Sequence, residues 1–135
     1  MSDMLTEDFC SFEVAQLLKE KGFDELCIFK YNSEGVRMKA GVAIDEWQNS
    51  ELDDDEYSCP SLAMAIKWLR NEHNIMVSPY ALSLGYYFEI FDLTTKDITG
   101  CKPLYQVGIP SKEYVLNTYE EAVEEAIKYS LENLI

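Results

Sequence analysis

Apolar positions along this chain recur with two different periods, and the changes between them mark out three helices and two pairs of strands. Over residues 12–21, Phe12, Val14, Ala15, Leu17 and Leu18 form a broad apolar side, with Ser11 placed as the N-cap. Gly22 then stops the helix. A glycine at C′ takes the left-handed conformation, and Phe23 at C″ falls against Leu18, the contact of a Schellman ending. Residues 26–31 (L-C-I-F-K-Y) are rich in strand formers, N-S-E-G at 32–35 supplies turn chemistry, and residues 36–44 complete a hairpin.

A second helix begins near Pro60, whose missing N–H suits the first helical position, and ends near His73. Leu62, Ile66 and Leu69 make its stripe, with Ala63, Met64 and Ala65 beside them. Residues 75–82 and 86–93 read as a second strand pair joined at 83–85. Pro79 makes the first of these an edge strand or breaks it, because proline cannot donate to a ladder. Residues 104–109 are a further short strand, closed by Pro110.

The last helix has the best start signal: Thr118 followed three residues later by Glu121 is a capping box, with Glu120 favoured at the same end. Val123, Ile127, Ser130, Leu131 and Leu134 line one side, and Ala122 and Ala126 permit close approach. The order α-β-β-α-β-β-(β)-α predicts an α+β fold, a single domain over residues 1–135 in which three helices cover an antiparallel sheet of four to five strands.

Charge changes this picture at one place. Seven acidic side chains fall between Asp45 and Glu56 with no Lys or Arg among them, half the net charge of -14. Having no apolar period, residues 45–58 read as an exposed acidic loop, and negative charge just before a helix is favoured by the helix dipole. Charge of this sign repels phosphates, which argues against direct nucleic-acid binding. At 135 residues and 47% apolar composition the chain is long enough to bury a core without staples. No apolar run approaches the ~18 residues of a membrane span, and the first residues lack a signal-peptide pattern, so a cytoplasmic location away from membranes is expected.

Candidate chemistry is sparse. Cys10, Cys27, Cys59 and Cys101 contain no C-x-x-C pair and read as buried or half-buried free thiols. Cys59 precedes the second helix and His73 ends it, roughly 20 Å apart at 1.5 Å per residue, which excludes a Cys/His dyad between them. The run Asp53, Asp54, Asp55, Glu56 fails the EF-hand pattern, since Tyr57 and Ser58 stand where a ligand and the glycine belong. No nucleotide-binding or hydrolase motif is present, and neither a catalytic residue, a cofactor nor a metal site is expected.

The helix segments S-F-E-V-A-Q-L-L-K-E-K-G-F (11–23), A-M-A-I-K-W-L-R-N-E-H-N-I (63–75) and T-Y-E-E-A-V-E-E-A-I-K-Y-S-L-E-N-L-I (118–135) resemble small uncharacterised proteins of phages and prophages of Bacteroides-type gut bacteria. The resemblance implies an accessory protein of the bacterial cytoplasm and brings no functional residue with it. From the residues themselves the leading expectation is a protein–protein interaction module that uses the acidic loop (Asp53, Asp54, Asp55, Glu56) or a sheet face carrying Tyr87 and Phe91. The alternatives are an acidic mimic of nucleic acid that inhibits a DNA-binding protein, and an enzyme whose residues converge from separate parts of the chain.

Overall fold

A computed structural model of the chain describes residues 7–41, 46–82, 85–94, 102–106 and 116–135. The fold is α+β, and among the described residues it has three helices, as the apolar periods predict, and two three-stranded antiparallel sheets in place of one sheet of four to five strands. The chain divides into two compact units, Met1–Met64 and Ala65–Ile135.

In the first unit, α1 (Phe12–Glu20) starts where Ser11 Oγ accepts a hydrogen bond from Val14 N at 3.2 Å. It ends as the sequence predicts: Gly22 has φ of 94°, Phe23 N donates to Leu18 O at 2.9 Å and Gly22 N to Lys19 O at 3.1 Å. Phe23 and Leu18 are both buried. The hairpin β1 (Phe29–Tyr31) and β2 (Arg37–Lys39) pairs Lys30 with Met38. Its turn is closed by Asn32, whose Oδ1 accepts from Glu34 N and Val36 N. Gly35 in that turn has φ of 79°, and a Cβ there would stand 3.1 Å from the Phe12 ring, so glycine is required twice over.

The acidic stretch supplies a strand that the sequence pattern does not announce. β3 (Tyr57–Ser58) pairs with the free edge of β1, giving the order β2-β1-β3. Two residues are too few for an alternating pattern to declare itself.

α2 (Leu62–His73) begins two residues later than Pro60. Ser61 is the cap: its Oγ accepts from Met64 N at 3.1 Å, three residues on. Pro60 instead precedes the cap, fully buried, with its carbonyl accepting from Cys10 N. The buried residues of the helix are Leu62, Ala65, Trp68 and Leu69, whereas Ile66 is half-buried and Ala63 and Met64 are exposed. The boundary between the units falls inside this helix.

In the second unit, β4 (Ile75–Leu82) and β5 (Gly85–Asp92) pair along their length, and β6 (Lys102–Gln106) joins β5 to give the order β4-β5-β6. Pro79 therefore lies on an edge strand that runs on unbroken, the place where its missing N–H costs least. α3 (Tyr119–Asn133) packs on β4 and β5, burying Ala122, Val123, Ala126, Ile127, Ser130 and Leu131. Its start carries the expected box with one adjustment: Thr118 Oγ1 accepts from Glu121 N, while Glu121 Oε2 accepts from Asn117 N, one residue before the cap. Expectations for 42–45, Ser83, Leu84, Cys101 and 107–110 lie outside the described residues.

Val77, Phe88 and Ile90 share one sheet face and are buried, as expected of a core. On the opposite face Tyr87 is 1% exposed, beside Tyr80 across the ladder at 5.9 Å between rings. Its hydroxyl has no hydrogen-bond partner among the described residues. A buried hydroxyl without a partner carries its full desolvation cost. Tyr87→Phe is therefore expected to raise stability by about 1 kcal/mol, read as a higher urea midpoint with an unchanged slope; a lower midpoint would show that the hydroxyl is bonded.

Candidate functional site

The acidic stretch is anchored, and the anchors come from elements far away in sequence. Asn49, Ser50 and Glu51 form a short 3-10 turn. Asn49 is buried there, its Nδ2 donating to Phe23 O at 2.7 Å and its Oδ1 accepting from Ser58 N at 2.8 Å. One side chain thus ties the residue after the α1 ending to β3. Asp24 Oδ1 accepts from Ser50 N at 2.7 Å, capping the same turn from outside.

Residues 53–56 then make a tight turn, closed by Glu56 N donating to Asp53 O at 3.0 Å. Lys19, in the last turn of α1, reaches across and donates Nζ to both Asp53 O and Glu56 O, at 2.7 Å each. Its ammonium lies 5.2 Å from the centre of the Tyr57 ring. Lys30, from β1, forms an ion pair with Glu56 Oε2 at 2.7 Å and stands 4.8 Å over the Trp47 ring. The Lys30 hydrogen bond holds the Glu56 carboxyl below its ordinary value, helped by Asp53 N and the charge of Lys19 and opposed by partial burial.

The four acidic candidates therefore divide. Glu56 is half-buried and committed to Lys30, whereas Asp53, Asp54 and Asp55 are exposed on a turn whose backbone is fixed by Lys19. The expectation of a freely solvated run is corrected for Glu56. Of the aromatic candidates, Tyr87 is buried and Phe91 is half-buried in β5. The equal apolarity of the two faces of β5 reflects burial on both sides at Tyr87. Nothing in the sequence sets Lys19 and Lys30 apart from the other nine Lys and Arg residues of the chain.

Cys10, Cys27 and Cys59 are buried, and none of them is in a disulfide. Cys59 lies two residues before the Ser61 cap, with Sγ 3.5 Å from Cys10 O. The Tyr31 hydroxyl donates to the same carbonyl at 2.6 Å. Burial pushes the Cys27 thiol up to about 12, only partly offset by Ser58, whose Oγ makes no hydrogen bond of ordinary length among the described residues. Burial also raises Tyr31. Such thiols are unreactive fillers. His73 stands edge-on to Trp68 at 4.6 Å. Among the described residues no group of three or more His, Cys, Asp or Glu could hold a metal ion, and no helix is long and apolar enough to cross a membrane.

Comparison with known protein families, with curated proteins and with solved structures finds no match to this chain.

Because the folded carboxyl of Glu56 lies below its ordinary value of 4.5, its contribution to stability is complete above that value and is lost as pH falls through the lower, folded one. Glu56→Gln is expected to cost about 0.5–1 kcal/mol at neutral pH, the range of a partly exposed ion pair. The gap between variant and parent in urea unfolding should close as pH drops below 4.5. Asn49→Ala leaves a carbonyl and an N–H without their partner and is expected to cost about 2–4 kcal/mol at every pH.

Proposed function

We propose that the chain is a protein–protein interaction module, of the phage or prophage accessory kind and acting in a bacterial cytoplasm, which presents the acidic turn at 53–56 to a basic surface of another protein. One observation carries this reading: Lys19 holds the turn through its carbonyl oxygens, so the carboxylates of Asp53, Asp54 and Asp55 are left to solvent while the backbone beneath them is fixed. A turn required only for chain connection has no use for three adjacent like charges, which repel one another. Fixing them in advance lowers the ordering cost of binding, and their field accelerates encounter with a cationic partner. Three buried cysteines outside any disulfide agree with a reducing compartment. The net charge of -14 speaks against direct contact with nucleic acid.

The expected behaviour of the Asp53→Asn, Asp54→Asn, Asp55→Asn variant follows from this division of labour. None of the three carboxylates anchors the turn, so the urea midpoint should move by less than about 0.5 kcal/mol in stability. A partner recovered from host lysate by the tagged parent at low salt, and released at high salt, should be absent from the variant. Recovery of the same partner by the folded variant would overturn the reading.

A further inference from the structure

The first sheet has two edges, and they are treated differently. On β3, Cys59 N donates to Phe29 O, so the neighbouring Ser58 N points away from β1, and Asn49 Oδ1 caps it. That edge is closed. On the other side, Asn32 N donates to Val36 O and Ala40 N to Ile28 O, so residues 36, 38 and 40 direct their backbone groups towards β1. By the alternation of an antiparallel ladder, the N–H and C=O groups of Arg37 and Lys39 point outwards. No strand among the described residues covers them. The edge strand of the second sheet lacks a donor at Pro79, a common device against strand addition; β2 has no proline.

The side chains on β2 say what this edge accepts. Arg37, Met38 and Lys39 are all exposed. The Arg37 guanidinium lies 5.1 Å from the Phe9 ring centre and 4.9 Å from that of Phe29, which holds its plane in place while its N–H edges stay available to a carboxylate. Met38 is 45% exposed, next to Val36 at 53% on the same face and diagonal to Ile28 at 43%. A second copy of the chain is a poor occupant. Any two-fold antiparallel register centred on residues 37 to 39 sets Arg37 or Lys39 against a basic residue of the other copy, and like charges directly opposite destabilise a pair. Basic residues on an edge discourage unselective pairing and at the same time select a complementary strand.

We infer that β2 is a docking edge for an extended segment of another protein, one in which acidic residues alternate with apolar ones. Acidic side chains stand opposite Arg37 and Lys39, and an apolar side chain packs beside Met38 on the opposite face. The backbone groups of Arg37 and Lys39 provide the ladder, and the basic side chains provide the choice of sequence. This surface is separate from the acidic turn and does not depend on it.

The test uses the full chain, labelled with nitrogen-15, and three synthetic peptides: acetyl-Glu-Val-Glu-Val-Glu-amide, its lysine counterpart, and the acidic peptide N-methylated on alternate backbone nitrogens. The acidic peptide is expected to shift the Arg37 and Lys39 amides and slow their hydrogen exchange. The lysine and methylated peptides should each bind about tenfold more weakly, the equivalent of 1.4 kcal/mol. Arg37→Glu with Lys39→Glu should reverse the preference between the acidic and lysine peptides. Should loss of the Arg37 contact with Phe9 and Phe29 unfold that variant, Lys39→Glu alone is expected to weaken the acidic peptide. Equal binding of all three peptides, shifts confined to residues away from β2, no binding of the acidic peptide, or a dimer whose interface protects the β2 amides would each overturn the inference. The variant neutralised at Asp53, Asp54 and Asp55 should bind the acidic peptide as the parent does.

Discussion

The ammonium group of Lys19 is the constraint on which the first unit depends. It stands in the last turn of α1 and donates to two carbonyls that belong to the two ends of one turn. Four acidic residues in sequence would by themselves spread apart. A single cation placed under the backbone, at 2.7 Å from both oxygens, draws the ends together without neutralising the outer carboxylates. The register of β3 follows, since Tyr57 and Ser58 begin directly after the turn and Asn49 secures Ser58 from the other side. From β3 the chain passes Cys59 and Pro60 and enters α2 at the Ser61 cap.

The second unit rests on a different principle. Its helix and its sheet meet through small and branched residues, Ala122, Ala126 and Ile127 on α3 and Val77 and Ile90 in the strands, all buried. Ser130, buried within the stripe, is satisfied locally by donating to Ala126 O at 2.8 Å. Apolar burial has no direction, so this unit tolerates the edge proline and a Tyr87 hydroxyl without a partner among the described residues, each a local defect that its core outweighs. The first unit, with polar side chains bridging separate segments, has less such latitude.

Elements announced by local chemistry were legible in the sequence. Ser11, Gly22 with Phe23, and Thr118 act over three to five residues, and their bonds stand where the pattern puts them, with the Glu121 carboxylate alone displaced by one residue. Pro60 misled by two residues because Ser61, a better cap, follows it. The acidic stretch misled for a deeper reason: its partners Lys19 and Lys30 lie 37 and 26 residues from Glu56, and no periodicity connects such positions. Tyr87 was ambiguous because a strand apolar on both faces is written the same way whether its second face meets solvent or protein. The basic edge on β2 was likewise hidden, since three residues reveal an open edge only when the order of strands is known.

The buried thiols give the first unit a chemical clock. Cys10, Cys27 and Cys59 belong to different segments, one before α1, one before β1 and one after β3, yet all are closed to solvent together. An alkylating reagent attacks only the thiolate, and burial both hides these sulfurs and, for Cys27, suppresses ionisation. Where the reagent is concentrated enough for alkylation to outpace reclosing, each cysteine is modified at the rate at which its own segment opens. Equal rates for the three would mark a unit that opens all at once; a faster Cys27 would mean that the hairpin peels away while the remainder stays shut.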